Sequence, residues 1–99
     1  MKLSERIYNY LSRRPEQWFH RFELEKKARA KGYSTFHIKK VFDKLGDPTR
    51  FPDVCSLYFS KSDRYKPVEG YGEHWRVIPM TEKEKETHIS AHKAFDALP

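Results

Sequence analysis

Seven side chains of one kind of chemistry fall close together between Ser34 and Lys44: Ser34, Thr35, Phe36, His37, Lys39, Lys40 and Lys44. The three ammonium groups can meet phosphate oxygens or guanine edges. The Ser34 and Thr35 hydroxyls can donate to a phosphate where a helix begins, and free backbone N–H groups at such a start favour an anion as well. Phe36 can touch a thymine methyl, and His37 can bond to a base edge or a phosphate. Each has a plainer reading beside this one. Surface lysines are usually only solvated, and a stray ring can be covered by a C-terminal tail.

Other chemistries fit less well. His88 and His92 stand at i, i+4 with Glu84 one turn earlier, a spacing that can chelate zinc. The chain has one cysteine, no HExxH pattern, and its other histidines, His20, His37 and His74, lie far off in sequence. Neither a metal nor a cofactor is expected. A nucleophile elbow, a glycine-rich phosphate loop and paired carboxylates in an apolar pocket are all unreadable here, so an enzyme is not expected. Cys55 falls on a predicted strand and reads as a buried, inert thiol rather than a nucleophile. A lone cysteine excludes an internal disulfide and favours a reducing, cytoplasmic setting. No apolar run approaches the ~20 residues of a membrane helix, and MKLSERIYNYL is too polar for a signal peptide.

The stretch with this chemistry needs an element to hold it. Ile38, Val41, Phe42 and Leu45 recur at i, i+3, i+4 and i+7, which predicts a helix over Ser34–Leu45 with one apolar face. At about 100° per residue, Phe36, Lys39, Lys40 and Asp43 point the opposite way, with His37 and Lys44 flanking them. Ser34 or Thr35 can cap the start, and Gly46 offers a left-handed stop. Leu3, Ile7, Tyr10, Leu11 and Arg14 predict a first helix over Leu3–Arg14, ended by Pro15. Trp18 and Phe19 read as a short extended break anchored in the core. HRFELEKKARAK predicts a second helix over His20–Lys31, with Leu24 and Ala28 inward and Gly32 at its end. Gly46–Asp53 is a turn-rich loop. Val54–Ser60 and Glu73–Ile78 read as two strands of a hairpin, joined by the polar loop Lys61–Gly72. A fourth helix is expected over Thr81–Leu98, opened by a Thr81/Glu84 capping box. Its EKEKE run is a solvated face, and Ala91, Ala94, Phe95 and Leu98 form a stripe near its end. The expected core is Ile7, Leu11, Leu24, Ala28, Ile38, Val41, Phe42, Leu45, Leu57, Phe59, Trp75 and Val77.

Charge follows the same division. The net charge is +6 over 99 residues, enough chain for one domain with a modest core. Residues 1–50 hold 13 Lys+Arg against 6 Asp+Glu, so this half carries +7, while 51–80 sum to zero and 81–99 to −1. Within it Lys26, Lys27, Arg29, Lys31, Lys39, Lys40 and Lys44 stand against Asp43 alone. Such clustering attracts polyanions. Basicity for solubility is the competing account.

The order of helix, short extended piece, two closely joined helices, strand, long loop and strand resembles the winged helix-turn-helix domain. The residues carrying the resemblance are Leu3–Arg14, Trp18–Phe19, His20–Lys31, Ser34–Leu45 and Val54–Ile78, about residues 3–79. It implies an α+β fold: a three-helix core with a two-stranded antiparallel hairpin, the wing, in residues 1–80, and an extra helix in residues 81–99. It also implies that Ser34–Lys44 reads the major groove of double-stranded DNA while the wing at Lys61–Lys66 touches backbone or minor groove. Arg64, Tyr65 and Lys66 then become candidate DNA contacts, and transcriptional regulation the expected role. The wing is longer than a tight hairpin. Winged helices also bind proteins, which would give Phe36, Tyr65 and Tyr71 a protein partner. The C-terminal stripe either packs on the first helix of its own chain or forms a homodimer.

Overall fold

The computed structural model describes residues 1–67 and 70–99, so the loop expected at Lys61–Gly72 lies partly outside the described residues. The chain folds as α1 (Leu3–Ser12), β1 (Phe19–His20), α2 (Arg21–Ala30), α3 (Thr35–Leu45), β2 (Val54–Phe59), β3 (Gly72–Val77) and α4 (Glu82–Asp96). This is an α+β arrangement of four helices and one antiparallel sheet in the order β1-β3-β2.

The sheet has three strands, not the two expected. Phe19 pairs with Trp75 and His20 with His74, so the short extended piece between the first two helices becomes an edge strand. Two residues carry too little periodicity to be read as a strand; their partner in β3 makes them one. α1 stops at Ser12, before the expected Arg14, because Pro15 pushes the residue ahead of it out of the helical region. Glu16 then takes a positive φ of 70° and donates its N–H to Val77 O at 2.7 Å, which fixes the turn to β3. Gly32 closes α2 with φ 95°, a value glycine alone reaches without strain. Gly46 instead stays right-handed at φ −79°; its carbon lies near Trp75, where an added Cβ would be 3.5 Å from the ring.

Leu3, Ile7 and Leu11 of α1, Leu24 and Ala28 of α2, and Ile38, Val41, Phe42 and Leu45 of α3 form one core with Trp75 and Val77. Tyr8, Tyr10, Phe19, Tyr33, Phe51 and Val54 seal its margin. Burying several such side chains at about 1.5–3 kcal/mol each is what holds three short helices on a short sheet. Phe42 and Trp75 lie 5.3 Å apart between ring centroids, and the Arg21 guanidinium caps Phe42 at 4.6 Å.

Leu57, expected in this core, is 50% exposed. The register explains it. Ser56 pairs with Trp75, so Ser56 shares the helix-facing side; Leu57 pairs with His74 and shares the far side. Phe59 is also on that far side, yet it is buried there, by Trp18 at 5.3 Å and His74 at 5.4 Å. The far side thus has a small cluster of its own, and Leu57 stands outside it.

α4 begins as expected. The Thr81 hydroxyl accepts from Glu84 N–H at 3.1 Å, and the Glu84 carboxylate accepts from Thr81 N–H at 3.3 Å. None of its residues is buried; only Lys85 and Ile89 are partly covered. Lys85 reaches 3.7 Å from Asp53, itself held by the Tyr8 hydroxyl of α1. Ala91, Ala94, Phe95 and Leu98 lie roughly 150° around the helix from the Lys85–Ile89 side. The stripe therefore does not pack on α1 of its own chain: Phe95 is 72% and Leu98 66% exposed. The radius of gyration, 14.5 Å, exceeds the about 13 Å of a compact 100-residue chain, as a helix lying on the outside requires. Among the described residues, no helix is long and apolar enough to cross a membrane.

Candidate nucleic-acid interface

α3 is positioned from three directions. Its apolar face is wholly buried against α1, α2 and Trp75. Its start is capped by Ser34, whose hydroxyl oxygen accepts from His37 N–H at 3.2 Å. Its approach from α2 is four residues long, Lys31–Ser34. A helix so fixed on one side leaves the other side rigidly presented.

All ten candidate residues, Ser34, Thr35, Phe36, His37, Lys39, Lys40, Lys44, Arg64, Tyr65 and Lys66, are exposed. They divide into four groups. Phe36, Lys39 and Lys40 stand opposite the buried face; the Lys40 ammonium lies over the Phe36 ring, 4.5 Å from its centroid. The ring is still 69% exposed. His37 and Lys44 turn toward the start of α1 instead. They line a shallow hollow of about 220 Å³ with Met1, Lys2, Leu3, Ser4, Tyr33 and Val41, and His37 meets the edge of Tyr33 at 5.4 Å. Ser34 and Thr35 sit at the helix start, where the Ser34 oxygen is used as an acceptor and its hydrogen remains free to be donated.

Arg64, Tyr65 and Lys66 form the fourth group, in the loop between β2 and β3. Among the described residues no hydrogen bond or ion pair joins them to α3. Lys66 is occupied at home: its ammonium donates to Lys61 O at 3.2 Å and Asp63 O at 3.3 Å. The Ser60 N–H donates to the Asp63 carboxylate, so the loop is braced from within. Arg64 and Tyr65 project from it, Tyr65 almost fully exposed.

Electrostatics favour α3. Of the cations clustered from Lys26 to Lys44, only Arg29 has an acidic partner among the described residues, Glu25 at 3.7 Å. Lys27 leans over Tyr10 at 5.6 Å, away from α3. Arg21, half-buried and outside this cluster, is tied up differently. It bonds Glu73 at 2.8 Å and Glu25 at 3.2 Å; burial pulls its pKa down, but the two carboxylates outweigh that and hold it raised. Arg21 is thus a strut between α2 and β3 and no free contact for a polyanion.

Three features escaped the sequence reading. Phe22 is exposed on α2 with Arg29 over its ring at 6.0 Å, and Arg76 stacks on Trp18 at 4.3 Å. The i, i+7 spacing of Phe22 and Arg29 was a usable signal; the Trp18–Arg76 stack depends on β1 pairing and had none. His20, read as the first residue of the second helix, caps that helix and bonds across to Tyr71 O at 3.0 Å. His88 and His92 stay exposed on α4, and the described residues contain no group of three His, Cys, Asp or Glu able to hold a metal.

Comparison with protein families, with characterised proteins and with solved structures gives no match for this chain.

Proposed function

We propose that this chain is a small winged-helix protein that binds duplex DNA, with α3 in the major groove and the β2–β3 loop as its wing, in the role of a transcriptional regulator. One observation carries the reading. α3 buries one face completely, while the other presents Lys39, Lys40 and Phe36, with no acidic partner for either lysine among the described residues. Cations presented without acidic partners can neutralise phosphates, and the exposed ring can touch base edges. Asp43 on the same face repels phosphate and narrows which bases are tolerated. Arg64 and Tyr65 are the wing contacts; Lys66 braces the wing.

Fluorescence anisotropy with a labelled duplex over a range of salt concentrations tests this. Lys39→Ala/Lys40→Ala should shallow the log–log salt slope by roughly 2 and weaken all sequences alike. Phe36→Ala should reduce preference among sequences more than non-specific affinity. Equal binding by all three proteins, with equal melts, removes α3 as the reader.

The exposed stripe on α4 supports a homodimer as part of the same reading. Two-fold pairing would set two α3 helices about one DNA turn apart, ~34 Å. Light scattering that shows a monomer at high micromolar concentration excludes it. A protein-binding module is the second reading, favoured by the exposed rings of Phe36, Tyr65 and Tyr71. Absence of duplex binding at low salt would put it first.

A further inference from the structure

We propose that His20 is a positioning residue that tethers the root of the β2–β3 loop to the start of α2, so that loop and α3 meet one duplex as a single rigid unit. The ligand half of this proposal rests on the DNA-binding reading above; the tether half does not.

One ring makes two bonds. His20 Nδ1 accepts the Phe22 N–H at 3.0 Å, satisfying a backbone donor at the start of α2. An acceptor nitrogen carries no hydrogen, so the neutral ring must carry its hydrogen on Nε2. That nitrogen lies 3.0 Å from Tyr71 O and donates to it. One tautomer therefore caps the helix and holds the loop together. The ring lies close against the root of the loop. Gly72 has φ 119°, and a Cβ there would sit 2.6 Å from His20 Nε2. His74, fully buried, stands edge-on to His20 at 4.7 Å and donates from Nδ1 to Gly72 O at 3.0 Å. Two imidazoles thus grip two successive carbonyls, Tyr71 O and Gly72 O, where the chain leaves the loop and enters β3.

The β1–β3 pairing and the Arg21–Glu73 bond also join the start of α2 to β3, but they act beyond Tyr71, inside the strand. The other hydrogen bonds of Ser60–Tyr71 stay within the loop: Ser60 to Asp63, Lys66 to Lys61 and Asp63, Gly70 to Pro67. Among the described residues, His20–Tyr71 is the hydrogen bond that carries the loop's position to the helical half. α2 passes that position on to α3 through only four residues. Lys61 lies over the Tyr71 ring at 4.9 Å, so a fixed Tyr71 steadies the arm that carries Arg64 and raises the effective concentration of the second contact once α3 is seated.

The two bonds can be separated by substitution. His20→Asn keeps an oxygen that can cap α2, asparagine being among the best N-caps, but is too short to reach Tyr71 O. His20→Ala removes both bonds. Backbone 15N relaxation on the full chain reads the loop directly, with no DNA present, and thermal melts read the fold. His20→Asn should melt near wild type yet lower the order parameters of Lys61–Lys66 and Tyr71. It should weaken duplex affinity roughly threefold to tenfold, the worth of one hydrogen bond, and Arg64→Ala should cost less in that background than in wild type. Order parameters equal to wild type in both variants overturn the tether. A loosened loop with unchanged duplex affinity overturns the joint-presentation half. If wild type itself fails to bind any duplex at low salt, the DNA reading falls and the relaxation result alone decides the tether.

Discussion

α3 and α4 are both capped helices with a stripe of apolar residues, and the fold treats them in opposite ways. α3 sinks Ile38, Val41, Phe42 and Leu45 into the core, whereas α4 buries nothing and is held chiefly through Lys85 near its first turn. The difference lies in where the stripe falls relative to the attachment. In α3 the stripe is the attachment. In α4 the attachment is a charge that reaches Asp53, and the stripe of Ala91, Ala94, Phe95 and Leu98 faces away. Amphipathicity in a sequence therefore says that a face wants a partner; it does not say that its own chain supplies one.

The sharpest way to break this contrast is to remove one ring from each helix. Phe42→Ala should cost about 3–5 kcal/mol, since it empties a site packed by Trp75 and Arg21. Phe95→Ala should stay within about 0.5 kcal/mol, as an exposed surface change does. Urea denaturation followed by circular dichroism measures both. A large loss at Phe95 in a monomeric sample would mean that α4 packs on the body of the chain after all.

The contrast also marks what the sequence could reveal. α3 was legible because its apolar positions, its cap residue and its cations repeat with the helical period, and each property is local. The fourth helix and its capping box were legible for the same reason. β1 was not, because two residues become a strand only when Trp75 and His74 arrive from over fifty residues away. Leu57 was misplaced because alternation alone does not tell which face of a hairpin the helices cover; the Ser56–Trp75 register decides that. His20 looked like an ordinary first helical residue. Its bond to Tyr71 is non-local, and so are the links from Tyr8 through Asp53 to Lys85. In the candidate interface the local part, Ser34 to Lys44, could be located, and the helical period already set His37 and Lys44 beside the outer face; that they line a hollow with the start of α1 depends on packing and could not be read. Lys66 likewise looked like a free contact until its bonds to Lys61 and Asp63 showed it bracing the loop.

The attachment of α4 is the next point to probe. Asp53 is 3% exposed and takes its hydrogen bond from Tyr8, with Lys85 beside it. Asp53→Ala should cost about 1–3 kcal/mol by leaving the Tyr8 hydroxyl short of a partner. The same site gives a pH signature. Burial first, then the hydrogen bond to Asp53 and its charge, raise the Tyr8 pKa above 10.0, against a smaller opposing pull from Lys85. For Lys85, burial lowers the pKa, but Tyr8, Asp53 and Glu82 together leave it raised. A pKa raised in the folded state gives stability that is full below the unfolded value and is lost as pH rises through the folded one. The melting temperature should therefore drop above about pH 10. Tyr8→Phe should be less stable at pH 7 but lose less across that alkaline range. A wild-type melt no steeper in pH than that of Tyr8→Phe would show that the trio does not act as one unit.

The smallest effect distinguishes the two helices most cleanly, because it uses the same chemistry on both. Ser34 and Thr81 each accept a backbone N–H three residues on, at 3.2 Å and 3.1 Å. An N-cap hydroxyl is worth about 1 kcal/mol to the helix it starts. In α3 that helix cannot unravel without exposing Ile38 and Val41, so Ser34→Ala should lower global stability by about that amount. In α4 the first turns can fray with no core residue uncovered, so Thr81→Ala should leave the global denaturation midpoint where it is. Its cost should appear locally, as faster amide hydrogen exchange over Lys83–Thr87, while amides of α3 exchange as in wild type. The Glu84 carboxylate would lose its reciprocal role in the same variant, so the local effect should be larger than a lone cap gives. Equal global losses for Ser34→Ala and Thr81→Ala would mean that α4 unfolds together with the core, and the contrast between the two helices would then fail.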